Sequence, residues 1–223
     1  MTEQNNQTDP EFIAAQLKKP SGDFAEEVGM KMNRVNKPLF DLTVETMQLQ
    51  GTERLLEIGF GTGAFFKDLF KYADDLKVSG IDFSEEMVKL AQSNNKKVID
   101  EGLLNVKWGE SDDLPFSDST FDKVYCNMVV YFWDQPGKHL SEVHRVLKPG
   151  GKFYTGIRSR ESMLVFPFVE FGFNLYAAEE WKEILSENGF IVTNEQVSLD
   201  PELDFEGNTL QLESHCIVAA KNG

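Results

Sequence analysis

Apolar residues recur along the chain with two different spacings, and the change near residue 54 divides it in two. Before it, Phe12, Ile13 and Leu17, then Phe24, Val28 and Met32, then Leu39, Leu42, Thr43, Thr46, Met47 and Leu49 follow a 3.6-residue period. That period predicts helices with one buried stripe. Pro10 opens the first helix and Lys19-Pro20-Ser21-Gly22 breaks it. Asp23 is placed to cap the second; Asn36 caps a third, with Pro38 in its first turn and Gly51 at its end. After residue 54, short apolar runs predict strands at 54–59, 78–83, 105–108, 121–130, 152–157, 191–197 and 216–220. Helical stretches at 63–72, from Ser84, from Pro136 and over 178–188 lie between them. Ser84 is a good N-cap, with Glu85 and Glu86 at the positive end of the helix dipole.

Strands alternating with helices predict an α/β fold, a doubly wound and mostly parallel sheet of seven strands covered on both faces. No helix separates the last two strands, so the last one is expected to be antiparallel. The polar residues 1–9 read as disordered, and the whole of 1–50 as that start plus an N-terminal helical cap. Residues 51–223 form the ligand-binding domain.

Charge narrows the partners. Lys and Arg number 22 against 37 Asp and Glu, a net −15. Such a chain repels phosphate backbones and anionic lipid, so neither nucleic acid nor a membrane surface is an expected partner. No run approaches the ~18 apolar residues of a membrane span. The start, MTEQNNQTDPEF, has neither the basic nor the apolar part of a signal peptide. The two cysteines, Cys126 and Cys216, lie in apolar runs without histidines at ligand spacing and read as reduced core thiols. The expected location is cytoplasmic and the expected state a monomer or homodimer. No metal is expected, because Glu110, Asp112 and Asp113 lead into a Leu114-Pro115 turn rather than a ligand cluster.

The strongest chemical signal is Leu55-Leu56-Glu57-Ile58-Gly59-Phe60-Gly61-Thr62-Gly63, between the first strand and the first helix. Glycines there let a ligand approach the backbone. Gly59, Gly61 and Ala64 also satisfy the dinucleotide fingerprint G-x-G-x-x-G/A, so a nicotinamide-dependent oxidoreductase stays open on these residues alone. Asp82, ending the second strand, can accept from both hydroxyls of a ribose. Glu57 speaks against a pyrophosphate, which it would repel, and for a ligand carrying an ammonium or sulfonium charge.

Three further runs complete a pattern: Gly80-Ile81-Asp82-Phe83-Ser84; Gly109-Glu110-Ser111-Asp112-Asp113-Leu114-Pro115-Phe116 with Ser119-Thr120-Phe121-Asp122; and Glu142-x-x-Arg145-Val146-Leu147-Lys148-Pro149-Gly150-Gly151. With the glycine loop, they resemble the class I S-adenosylmethionine-dependent methyltransferases over about residues 51–200. In style the chain is similar to their small-molecule type, which includes quinone-ring methyltransferases. The resemblance implies a Rossmann-like fold, S-adenosylmethionine as cofactor with S-adenosylhomocysteine as product, and a small, aromatic or apolar acceptor. It places Gly59, Phe60, Gly61 and Gly63 by the methionine and ribose, Glu57 near the charged end, Asp82 on the ribose diol, and Phe83 and Met87 by the adenine. Glu110 stands where the family usually has Asp, Ser111 where it has Ala, and both face the adenine edge. Asn127 lines the methionine end.

For the acceptor, Met32, Asn33 and Asn36 of the cap, Tyr131, Arg158, and Phe166 and Phe173 of the aromatic run MLVFPFVEFGFNLY (163–176) are candidates. That run reads equally as a core helix or a dimer patch. No clear general base emerges; Tyr131, His215 and Glu161 are the candidates. His139 and His144 read as surface or structural residues, and Glu142–Arg145 as a helix ion pair. Without a base, a protein that binds S-adenosylmethionine as a sensor or scaffold remains a second reading, and aminopropyl transfer on the same fold a weaker one.

Overall fold

A computed structural model describes residues 9–205 and 207–222. The expected disordered start falls almost wholly on residues 1–8, outside the described residues. Asp9 is the N-cap of helix α1 (Pro10–Lys18), its carboxylate accepting from the Glu11 amide. A 3₁₀ turn at Gly22–Phe24 leads into α2 (Ala25–Met47). Then follow β1 (Arg54–Ile58), α3 (Phe66–Leu69), β2 (Lys77–Asp82), α4 (Glu85–Asn94), α5 (Lys96–Asp100), β3 (Leu104–Trp108) and β4 (Phe121–Asn127). After these come α6 (Pro136–Val146), β5 (Leu147–Arg158), α7 (Arg160–Met163), α8 (Ala178–Glu187), β6 (Phe190–Leu199), the short pair β7 (Leu203–Phe205) and β8 (Asn208–Leu210), and β9 (Glu213–Lys221).

The main sheet has seven strands in the order β3-β2-β1-β4-β5-β9-β6. β9 runs antiparallel to both neighbours, and the other pairings are parallel. The α/β, doubly wound, Rossmann-like sheet is therefore as the sequence predicts, including its antiparallel last strand. One apolar cluster on each side of the sheet holds it: Leu56, Val124, Phe153, Trp181 and Leu185 in one, Leu55, Val78, Tyr125, Phe66 and Met47 in the other. Cys126 and Cys216 are buried free thiols whose pKa burial raises. Among the described residues no helix is long and apolar enough to cross a membrane.

Four elements differ from the pattern reading. First, Asn36 does not begin a helix. Residues 25–47 form one helix with Pro38 inside it. Pro38 removes one helical hydrogen bond, normally a cost of about 3 kcal/mol. The stripe Leu39, Phe40, Thr43, Val44 and Met47, all fully buried, carries the helix through by packing on the sheet. Second, that same half of α2, inside the expected cap, packs into the core on one side of the sheet. Third, the helix expected at 63–72 shrinks to the single turn of α3. Phe65 stacks on Phe40 and Phe66 fills the space under Gly80, so aromatic anchoring replaces helical propagation. Fourth, β7 and β8 form a small hairpin too short to leave a periodic signal.

Candidate active site

The sheet order reverses between β1 and β4, and at such a switch point two loops diverge and leave a crevice at the carboxyl ends of the strands. Here the crevice is a cavity of about 560 Å³. Of the expected cofactor contacts, Glu57, Gly59, Phe60, Gly61, Asp82, Phe83, Met87, Glu110, Ser111 and Asn127 line it, as do Met32, Asn33 and Asn36.

The loop after β1 is shaped by left-handed glycines. Gly59 has φ +73°, and a Cβ there would come within 2.4 Å of Val129 Cγ2. Gly61 has φ +56° and open space where its Cβ would be, so a ligand can reach its backbone. Gly63 turns away from the cavity: its added Cβ would meet Ala91 at 2.8 Å, so it serves close packing on α4. Side-chain amides fix the loop. Asn95 Nδ2 donates to Gly63 O at 2.9 Å, Asn94 Nδ2 to Thr62 O at 3.1 Å, and Asn33 Nδ2 to Thr62 Oγ1 at 2.8 Å.

Two buried carboxylates face this loop. Asp82 Oδ2 accepts from Gly61 N at 2.8 Å and Oδ1 from Ser84 N at 2.9 Å. Each oxygen keeps lone-pair capacity for a further donor. Burial outweighs these two bonds and lifts the Asp82 pKa to about 6. Glu57 is more strongly affected: burial raises its pKa to about 7, against the 2.6 Å hydrogen bond that Tyr125 Oη donates to it. Two acids short of compensation in one cavity favour a ligand that brings hydroxyl donors and positive charge.

The remaining walls come from distant segments. Ser84 Oγ donates to Pro20 O at 2.7 Å, drawing Leu17–Pro20 across the cavity, and Lys19 Nζ stands 5.2 Å from the Phe83 ring centre. Arg145 binds Glu142 and also donates to Phe116 O and Leu114 O, while Glu142 accepts from Leu114 N at 2.8 Å. The pair thus pins the loop carrying Glu110 and Ser111 and is more than a helix-surface contact. Asn127 Oδ1 lies 2.8 Å from Thr43 Oγ1, and only a glycine at 156 leaves it room. His139 differs from its surface reading: it lines the cavity, stacked on Trp133 with its Nδ1 2.7 Å from Ser111 Oγ. Burial lowers its pKa. Its helix position gave no signal, since the partner Trp133 reaches it only through the loop after β4.

A second cavity of about 460 Å³ adjoins the first. Phe12, Ile13 and Phe24 of the N-terminal segment, Phe166, Phe168 and Phe173 of the aromatic run, and Leu203 and Phe205 of the hairpin line it. The aromatic run therefore builds a pocket wall, mostly without helix. Leu17, Met32, Asn36, Met128 and Phe132 line both cavities and form the passage between them. Met128 holds the left-handed φ of +61°, tied by its amide to Gly156 O.

The three base candidates are not brought to either cavity. Tyr131 is buried, its hydroxyl donating to Arg158 O at 3.0 Å and accepting from Arg158 N at 2.8 Å. That closed pair makes it a strut, and burial raises its pKa. His215 sits on β9 between Glu195 and Glu213, and Glu161 is exposed on α7. Arg158 does border the second cavity, but its guanidinium is only 2% exposed and held by Asp200, Asn36 and Val35.

Comparison with known proteins agrees with this geometry. A family profile described as "Methyltransferase domain" matches residues 56–155. The Bacillus subtilis methyltransferase YdaC is 31% identical over 134 residues, 60% of this chain and 72% of that protein. The demethylmenaquinone methyltransferase of Symbiobacterium thermophilum is 34% identical over 134 residues, 60% of this chain and 51% of that protein. The chain spans between 43% and 72% of the length of these and other curated relatives it matches. Among solved structures, a chain of the Haloferax volcanii complex containing the Trm112 methyltransferase activator superposes with a TM-score of 0.78 at 20% identity, covering 95% of this chain and 98% of that one.

Proposed function

We propose that this chain, which belongs to the S-adenosylmethionine-dependent methyltransferases, methylates a small apolar acceptor seated in the second cavity. Family membership decides between the methyl donor and the nicotinamide cofactor that the glycine loop alone left open. The observation that carries the acceptor reading is the shared passage: two cavities meet at Met32, Asn36, Met128 and Phe132. An aromatic-lined chamber suits a flat ring. The relative named as a demethylmenaquinone methyltransferase supports an apolar acceptor, although that substrate is said of that protein and the alignment covers 51% of it.

The residues of the first cavity fit the donor. In this reading Asp82 accepts from the ribose hydroxyls, Gly61 gives the ligand access to the backbone, and Phe83 and Met87 flank the adenine. Glu110 and Ser111 serve its polar edge, and Glu57 and Asn127 the amino-acid end. When bound, S-adenosylmethionine supplies a methyl group already activated by its positive sulfur. What is left to the protein is alignment and exclusion of water. Met32, Met128 and Phe132 supply apolar walls at the passage, and such orientation is worth about 7–11 kcal/mol of barrier. A base is needed only for an acceptor that loses a proton. Glu27 and Asp204 are the carboxylates lining the second cavity. A cap over residues 1–50 and a donor-binding domain over 51–223 belong to this reading, with the second half of α2 packed into the core.

The test is calorimetric titration with S-adenosylmethionine and S-adenosylhomocysteine, followed by transfer of labelled methyl to a panel of small apolar compounds. Donor binding without transfer to any of them turns the reading to a sensor. Asp82→Asn keeps one acceptor oxygen, so one of the Gly61 and Ser84 amides retains its partner, and loses the charge. It should weaken donor binding by about 1.5–3 kcal/mol, the range for charge-assisted bonds. Asp82→Ala is the poorer choice, since it also orphans the Gly61 and Ser84 amides. Unchanged affinity in the Asn variant removes Asp82 from the donor site.

The two raised acids give a pH signature. Their folded values, about 7 for Glu57 and about 6 for Asp82, exceed the ordinary 4.5 and 3.8. Within that window the folded chain holds more protons than the unfolded one, so their contribution to stability falls as pH rises towards 7. A cationic ligand with hydroxyl donors prefers both groups ionised. Donor affinity should therefore rise at least about tenfold from about pH 5.5 to about pH 8. A flat calorimetric profile would count against Glu57 and Asp82 as donor contacts.

A further inference from the structure

Of the five residues at the passage between the cavities, only Asn36 is polar. Its amide is not free to turn. Arg158 Nη1 lies 3.1 Å from Asn36 Oδ1, and a guanidinium can only donate, so the oxygen must face the arginine. Arg158 is itself fixed: Nη2 donates to Val35 O at 2.7 Å and to Asp200 Oδ2 at 2.8 Å. Asp200 in turn accepts from Ser214 Oγ at 2.8 Å. The Asn36 Nδ2 group therefore points away from this network. Among the described residues it has no acceptor, and it is not among the enclosed polar atoms that lack partners. Two donor hydrogens are left available on a residue that borders both chambers.

We infer that Asn36 is the residue that selects the acceptor, donating Nδ2–H to an oxygen of an otherwise apolar ring, and that Arg158 with Asp200 is its positioning pair. This rests on the reading of the two cavities as donor and acceptor sites. The substrate class that follows is a flat apolar compound bearing a phenolic, carbonyl or carboxylate oxygen next to the ring face presented to the passage. A pure hydrocarbon fills the same walls but leaves a held donor unpaired, which is the arrangement that discriminates most strongly between ligands.

The experiment uses the full chain with S-adenosylhomocysteine present and two probes of the same ring, 2-naphthol and naphthalene. Calorimetric titration with S-adenosylhomocysteine first reports on the donor site alone. Its failure to bind would overturn the two-cavity reading and this proposal with it. With the donor site filled, 2-naphthol should bind at least about fivefold tighter than naphthalene, the effect of one hydrogen bond. In Asn36→Leu the ratio should fall to about one while naphthalene affinity stays within about twofold. Asn36→Asp keeps the contact to Arg158, and so the local fold, but has no N–H to give; it should lose the advantage that the unaltered protein shows for 2-methoxynaphthalene, a probe that accepts but cannot donate, over naphthalene. Arg158→Lys tests positioning. A purely structural loss weakens both probes alike, whereas loss of amide orientation lowers the ratio. Equal binding of the two probes by the unaltered protein, no binding of either, or a ratio that survives both Asn36 variants overturns the assignment.

Discussion

Asp200→Ala should lower the stability of the protein by about 3–5 kcal/mol, the cost of stripping a buried ion of its partner. The carboxylate and Arg158 are 3% and 2% exposed, and the oxygen–nitrogen distance is 2.8 Å. Removing Asp200 leaves the guanidinium with only neutral acceptors, Asn36 Oδ1 and Val35 O, and with an Nε that has no partner even in the intact protein. For a chain of this size, each kcal/mol moves the melting temperature by roughly 2–4 °C, so a drop of about 6–20 °C is expected. The double variant Arg158→Met with Asp200→Val takes away both charges. It should recover most of that loss, because apolar replacement of a buried pair is often neutral or better. The pair is then kept for what it holds in place, α2 against the end of β5 beside Pro38. Urea unfolding of the two variants checks this. A single variant within about 1 kcal/mol of the parent would show that water reaches the pair, and the charge would not be buried in solution.

The sheet was legible because each strand announces itself locally. Leu55–Ile58, Val78–Ile81 and Val124–Cys126 are apolar runs bounded by turn residues, and the helix after Ser84 carries its cap in the sequence. The first cavity was legible for the same reason. Glu57, Gly59, Gly61 and Asp82 sit at strand ends, where backbone geometry alone directs them to one crevice. Other walls depend on pairings between residues far apart in the chain. Around the second cavity Arg158 meets Val35 and Asp200 and Phe166 meets Phe205, just as Trp133 meets His139 in the first, and no local pattern encodes any of them. The same holds for Pro38. Its local preference to start a helix is overridden by a buried stripe whose partners lie on the sheet. Tyr131 reads as a base candidate because a hydroxyl near a strand end reads alike whether it faces a ligand or, as here, closes on the backbone of Arg158.

Deleting residues 1–24 should leave a folded core that binds the methyl donor weakly and no longer transfers the methyl group. The cut falls after the 3₁₀ turn and spares α2, whose Leu39, Phe40, Thr43 and Val44 the core needs. What is lost is a wall of each cavity. Leu17, Lys18, Lys19 and Pro20 leave the first; Phe12, Ile13, Gln16, Leu17 and Phe24 leave the second. Beyond packing, the segment is tied to the rest of the chain by Ser84 Oγ to Pro20 O at 2.7 Å; Ser21 N to Gln16 Oε1 at 3.1 Å and the edge-to-face contact of Phe12 and Phe24 lie within the deleted stretch. Its removal is therefore tolerable for the sheet but not for alignment. The donor keeps Asp82, Glu57 and the glycine loop, so its affinity should fall by only about tenfold, equivalent to one or two modest contacts. The acceptor loses one wall of its chamber, and water reaches the passage. A misplacement of about 1 Å between reacting groups costs about a hundredfold in rate, so the single-turnover rate at saturating donor should drop by at least about that factor. If α1 merely covers an apolar face, the truncated chain will aggregate while its soluble fraction keeps the parental rate. Measuring donor affinity and single-turnover rate on that soluble fraction, with the acceptor found in the labelled-methyl panel, separates the two, and a retained rate removes the segment from the reaction.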